Sequence, residues 1–192
     1  MFLKELTELS GVSGCEYEVR NYIKNKLSEI GCEYYVDKLG NVIAHNKGGK
    51  NKTIMVAAHM DEVGLIVSHI DSDGFIKFQA VGGIDQRVLN SKAVLVGENK
   101  IPGVIGSKAV HLMSDEERGR SVSIDKLYID IGSESKAETE KLVSIGDYIT
   151  FKSDYVEFGD NLIKAKALDD RAGCSIILQL LSMKLDADFY GV

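Results

Sequence analysis

The hydrophobic pattern of this chain changes period near Gly64 and changes back near Ala167. Before Gly64, apolar residues recur at helical spacing or form one continuous run. After Ala167 a strongly apolar helix follows. Between the two lie short strands broken at regular intervals by glycine and aspartate turns. A chain of 192 residues patterned in this way suits one domain built from both ends with a second set into it. The expected boundaries are 1–66 and 163–192 for the α/β part and 67–162 for the β-rich insertion.

In the first part, Phe2, Leu3, Leu6 and Leu9 predict a short helix. Ser13 and Glu16 have capping-box spacing for a second helix, with Val19, Tyr22, Ile23, Leu27 and Ile30 as its apolar stripe and Gly31 as its stop. Strands are predicted in "CEYYVDK", "NVIAHN" and "KTIMVAAH". "IMVAA" does not alternate, which predicts a strand covered on both faces in the middle of a sheet. In the insertion, hairpins are expected around Ser72-Asp73-Gly74 and from Gly97 to Lys100, with further strands in "LYIDIG", "DYITFKS" and "NLIKAKAL". One short helix at about 134–143, capped by Ser135 with Glu138, interrupts them. Such spacing predicts a small β-barrel or sandwich. The charged stretch at 111–123 reads as a solvated loop.

Composition excludes several classes of function. Net charge is −6, which gives no electrostatic ground for a nucleic-acid partner. No apolar run approaches the roughly 18 residues needed to span a membrane. The three cysteines, Cys15, Cys32 and Cys174, are odd in number and lack a C-x-x-C pair, so neither a disulfide framework nor a thiolate zinc site is expected. A reducing compartment fits them, and the opening "MFLKELTELSGVSG" is too polar for a signal peptide, so a cytoplasmic protein is expected.

Two clusters could do chemistry. His59 ends the apolar run, at the carboxyl end of a predicted strand, where open α/β sheets carry their sites. A neutral imidazole suits zinc or cobalt, and a carboxylate on its second nitrogen fixes the tautomer. Asp61, two residues on, points the same way in an extended chain. A strand-end histidine can equally serve as a structural hydrogen-bonder. His45, His69 and His111 have no acid at useful spacing and are read as structural. Asp169 and Asp170 are adjacent acids between a strand and a helix, where a bound cation would relieve their repulsion. The alternative is that one caps the helix and the other pairs with Arg171.

"AAHMDEVG" at 57–64 and "ALDDRAG" at 167–173 resemble the first two metal motifs of the tetrahedral aminopeptidases, the di-metal exopeptidase family that includes the glutamyl aminopeptidases. Some members carry the label endoglucanase or cellulase. "LKELTELSGVSGCEYEVR", "DKLGNVIA", "VGGIDQRVL" and "SIGDYITF" extend the resemblance along the chain. It implies part of a three-layer α/β/α sheet domain with an inserted β-barrel used for dimerisation, from which dimers build a dodecameric cage. It implies His59 as a terminal ligand of one metal and Asp169 as the bridge between two divalent ions, zinc or cobalt. Asp61 would belong to the catalytic machinery as the orienter of His59, and Asp170 would follow Asp169 across a cis peptide bond, behind the ligands. The family's Glu-Glu pair, which supplies general base and ligand, its further aspartate and its late histidine would come after "DFYGV". The sequence therefore reads as an N-terminal portion of a peptide-cleaving enzyme, disabled as written, since general-base assistance alone is worth about 10²–10⁴ in rate. The alternatives are a non-catalytic assembly module acting through its β-domain and, less favoured, a glucan hydrolase.

Overall fold

The computed structural model describes residues 2–49, 52–109 and 122–192. They form two compact units, Met1–Glu62 with Asp154–Val192, and Val63–Ser153. His111, and with it nearly all of the charged stretch at 111–123, lies outside the described residues.

The first unit opens with α1 (Phe2–Glu8) and α2 (Tyr17–Glu29). α2 buries Val19, Ile23 and Leu27, four apart on one face as its stripe requires. The expected capping box does not form. Glu16 occupies the cap position without a side-chain cap bond, and its carboxylate accepts the Gly14 N–H at 2.5 Å. Ser13 is drawn away by tertiary contacts: its N–H donates to the Glu62 carbonyl at 3.3 Å and its hydroxyl to the Asp61 carboxylate. Competition from long-range partners overrides the local capping preference.

β1 (Glu33–Val36), β2 (Val42–Asn46), β3 (Thr53–Val56) and β12 (Asp188–Gly191) make a four-stranded sheet in the order β1-β2-β12-β3. β12 runs antiparallel to β2 and parallel to β3. A long helix, α4 (Leu168–Leu181), packs with α1 and α2 over the sheet face carrying Val42, Ala44 and Phe189. The reading of β3 as a central strand covered on both faces is corrected here. Among the described residues β3 pairs only with β12, and as an edge strand it leaves Ile54 46% and Met55 69% exposed. A small hairpin, β10 (Val156–Phe158) with β11 (Leu162–Lys164), belongs to the same unit.

The second unit is a closed antiparallel barrel of β4 (Gly64–Ile70), β5 (Ile76–Val81), β6 (Ala93–Val96), β7 (Ile101–Gly106), β8 (Tyr128–Asp130) and β9 (Tyr148–Phe151), in the order β4-β5-β8-β7-β6-β9. The two expected hairpins are present. Asp71 organises the first turn by accepting the Asp73 and Phe75 N–H groups, and Gly74 supplies the positive φ of 89°. The helix expected at 134–143 shortens to α3 (Lys136–Thr139), and Ser135 makes no side-chain cap bond. Glu138 accepts the Glu134 N–H instead, and the Thr139 hydroxyl donates to the buried Gly74 carbonyl at 2.7 Å. Leu65, Val94, Ile129 and Ile149 fill the barrel interior with no more than trace exposure. Ile149→Ala should therefore cost about 2–5 kcal/mol of unfolding free energy in urea melts; a loss below about 1 kcal/mol would contradict a filled barrel.

Candidate metal site

β3 delivers the chain to His59. Its parallel pairing with β12 continues past the strand end: Ala58 N–H donates to the Val192 carbonyl at 3.0 Å and Val192 N–H to Val56 at 2.9 Å. His59 thus leaves at the carboxyl end of β3. Asp169 arrives from the start of α4, which opens irregularly. Ala167 is left-handed, Asp169 and Asp170 have non-helical backbone angles, and the peptide bond between them is cis. Asp170 turns its carboxylate back onto the helix and accepts the Gly173 N–H at 3.0 Å, an N-terminal cap. A Cβ at Gly173 would lie 2.6 Å from both oxygens of that carboxylate, so the cap relies on glycine there.

The two segments meet at one imidazole. His59 Nδ1 lies 2.9 Å from Asp61 Oδ1, and His59 Nε2 lies 3.0 Å from Asp169 Oδ1. An ionised carboxylate only accepts, so Nδ1–H donates to Asp61. That leaves Nε2 as a lone pair facing a second carboxylate oxygen. Two acceptors at this distance repel unless a positive species joins them, either a proton on Nε2 or a metal cation. The same conflict shows in the protonation equilibria. Partial burial alone would lower the His59 pKa, but Asp169 and Asp61 outweigh it and the net shift is upward. Asp61 is held below the usual carboxylate range, chiefly by the Ser13 hydroxyl, with His59 adding to the effect.

The donor chemistry fits zinc or cobalt at two positions: an imidazole with its tautomer fixed by a carboxylate, and an aspartate whose side chain is 94% exposed and free to bind. Among the described residues no group of three His, Cys, Asp or Glu side chains could hold a metal ion. The described residues therefore provide two donors, not a closed coordination sphere. His59, Asp61 and Asp170 also line a cavity of about 560 Å³ whose other walls include Ile23, Leu27 and Ile177. Clefts of this size and mixed lining suit small ligands. Cys174 lies beneath the site, its thiol on the His59 carbonyl at 3.3 Å, and burial pushes its pKa up to about 11.

Behind the donors sits a buried ionic cluster that sequence reasoning did not find. Arg171 pairs with neither aspartate. Its Nε donates to the Met60 carbonyl at 2.8 Å, its Nη1 to the Leu6 carbonyl at 2.5 Å, and its Nη2 lies 3.8 Å from Glu62 Oε1. Glu62 also accepts the Gly11 N–H at 3.0 Å and the Lys166 ammonium at 2.7 and 2.9 Å. Ser13, Glu62, Lys166 and Arg171 are dispersed along the chain at no recognisable spacing, so only the fold reveals that they lie close together. His45, read as structural, stacks on Tyr190 at 4.2 Å between ring centres. Among the described residues Cys15, Cys32 and Cys174 form no disulfide, and no helix is long and apolar enough to cross a membrane.

The upward shift of His59 fixes the sign of a pH effect. In the metal-free chain, its contribution to stability is fully present below the unfolded pKa and is lost as pH rises through the folded value. Metal competes with that same proton. Zinc affinity should therefore rise with pH through the folded pKa of His59, with proton release visible as a buffer-dependent binding enthalpy. Affinity independent of pH between about 5 and 8 would exclude His59 as a ligand.

A family model for the M42 glutamyl aminopeptidases matches residues 40–191, and a second, AMPT, matches residues 1–21. The glutamyl aminopeptidase of Lactococcus lactis is 34% identical over 200 aligned residues, covering 97% of this chain and 55% of that protein. A crystal structure from Thermotoga maritima, described as an endoglucanase, aligns with a TM-score of 0.85 at 42% identity, over 100% of this chain and 58% of the other. The TET1 peptidase of Pyrococcus horikoshii, which can assemble into a tetrahedron or a large octahedral shell, aligns with a TM-score of 0.86 at 31% identity, over 98% and 58%. The chain spans about half the length of the curated relatives it matches.

Proposed function

The chain belongs to the M42 glutamyl aminopeptidase family, and from that premise we propose that it is the metal-binding portion of an aminopeptidase that removes N-terminal residues from peptides. The observation that carries this reading is the approach of His59 Nε2 to Asp169 Oδ1, with Nδ1 already committed to Asp61. His59 and Asp169 would hold divalent metal, zinc or cobalt, with Asp169 as the candidate bridge between two ions. Asp61 would keep the His59 lone pair aimed at the metal, and Asp170 would fix the start of the helix behind Asp169. The metals supply Lewis acidity and lower the pKa of water. Two donors leave further ligands and a general base to be supplied from beyond the described residues.

Homo-oligomeric assembly is part of the same proposal, supported by the similarity to the shell-forming TET1 peptidase. Three cysteines, odd in number and without a C-x-x-C pair, support a reducing, cytoplasmic setting. The endoglucanase description of one similar structure does not favour glucan hydrolysis here. That reaction needs two carboxylates flanking a glycosidic bond. Asp61 and Asp169 instead sit on opposite nitrogens of one imidazole, with the ring between them.

The test is a zinc titration by calorimetry on the wild type and Asp61→Asn. Asparagine preserves shape and removes the charge that orients His59, so affinity should fall about 10–100-fold. Equal affinity in the two proteins would refute the orienting role. No zinc binding in the wild type would favour a non-catalytic assembly module.

A further inference from the structure

Arg171 is fully buried, yet one of its amino groups has no hydrogen-bond partner among the described residues. Packing alone does not call for such a residue, because an apolar side chain of similar volume would fill the space without desolvating a charge. What an apolar side chain could not do is join two backbone segments. The Arg171 Nε bond ends on the carbonyl of Met60, the residue between His59 and Asp61. The residue itself is the second after Asp169, where the regular part of α4 begins. One planar guanidinium therefore links the backbone that carries the imidazole to the backbone that carries the bridging carboxylate, and Nη1 anchors both to the Leu6 carbonyl of α1.

We infer that Arg171 is a positioning residue that sets the distance between His59 and Asp169, with Glu62 holding its charge in place. The inference rests on the reading of these two side chains as metal donors. It requires the fork geometry of arginine: an ammonium is a point donor on a flexible stem and cannot hold two carbonyls in a fixed plane. Gly11 belongs to the same device. A Cβ there would lie 2.5 Å from Arg171 Nη2, so the guanidinium reaches its place only because residue 11 has no side chain.

The experiment compares the 192-residue wild type with Arg171→Lys, Gly11→Ala and Lys166→Met. Zinc affinity is measured by calorimetry, cobalt coordination by its visible absorption, and thermal stability by circular dichroism. Lys166 bonds to the Leu9 carbonyl and to Glu62, so Lys166→Met loosens the same neighbourhood and serves as the control for general destabilisation. The expected result is a drop of at least tenfold in zinc affinity and an altered cobalt spectrum for Arg171→Lys. Lys166→Met should melt earlier while keeping its affinity within about twofold of the wild type. Gly11→Ala displaces the guanidinium without removing it, and it decides the matter if Arg171→Lys does not fold: it should lose affinity several-fold. Wild-type affinity in folded Arg171→Lys or Gly11→Ala overturns the inference. So does an affinity that simply follows melting temperature across all three variants. Absence of zinc binding in the wild type overturns the metal reading and this inference together, and so is distinguishable from failure of the inference alone.

Discussion

Asp169→Ala should remove measurable zinc binding from the chain while leaving its fold intact. Asp169 is the most exposed member of the candidate site and, among the described residues, accepts only from His59, so its loss leaves none of their buried groups unpaired. Its loss does remove half of the donors the described residues offer. A single imidazole on a surface is a weak zinc ligand, and outer-shell changes alone typically cost about 10–100-fold, so loss of a first ligand should exceed about 100-fold. Calorimetry at pH 7.5 reads the affinity, and a urea melt reads the fold. Asp170→Ala is the companion variant. It removes the cap on the Gly173 N–H, should cost about 1 kcal/mol of stability, and should leave zinc binding much less affected. If Asp170→Ala and Asp169→Ala change zinc affinity equally, the division of labour between the two neighbouring acids is wrong.

Glu62→Ala should be the most destabilising single change near the site. Glu62 is almost fully buried, and it answers the charges of Lys166 and Arg171 while also accepting the Gly11 N–H. Removing it strands two cations in a poorly solvated place, a class of change that costs about 3–5 kcal/mol. Glu62→Gln keeps an acceptor for Gly11 and loses only the charge, so it should fall between the wild type and alanine. Urea unfolding of the three proteins provides the measurement, and a loss below about 1 kcal/mol for Glu62→Ala would mean that water already screens the cluster.

Much of this was legible in the primary structure, for identifiable physical reasons. The barrel was readable because each hairpin carries its own turn chemistry, as at Asp71 with Gly74. His59 with Asp61 was readable because two residues in an extended chain share a side. The approach of Asp169 was suggested by resemblance, since nothing local connects it to His59. The capping box at Ser13 misled because the hydroxyl had a more distant and stronger acceptor in Asp61. The composition of β3 suits a covered strand, but which strands flank it is decided by pairing partners and not by its own residues, and among the described residues its one partner is β12. The Glu62, Lys166 and Arg171 cluster left no trace, because a buried charge pair has no periodicity to detect.

The pairing of β4 with β9 sets Leu65 opposite Ile149, near the two ends of the stretch that separates His59 from Asp169. Once the barrel has closed, its ninety-odd residues no longer behave as a long tether. The search that must bring imidazole and carboxylate together is then confined to two short stubs leaving neighbouring strands, and the entropy of closing the large loop has already been met. The barrel is built from one contiguous stretch, Val63–Ser153, so its closure calls on no residue of the discontinuous unit.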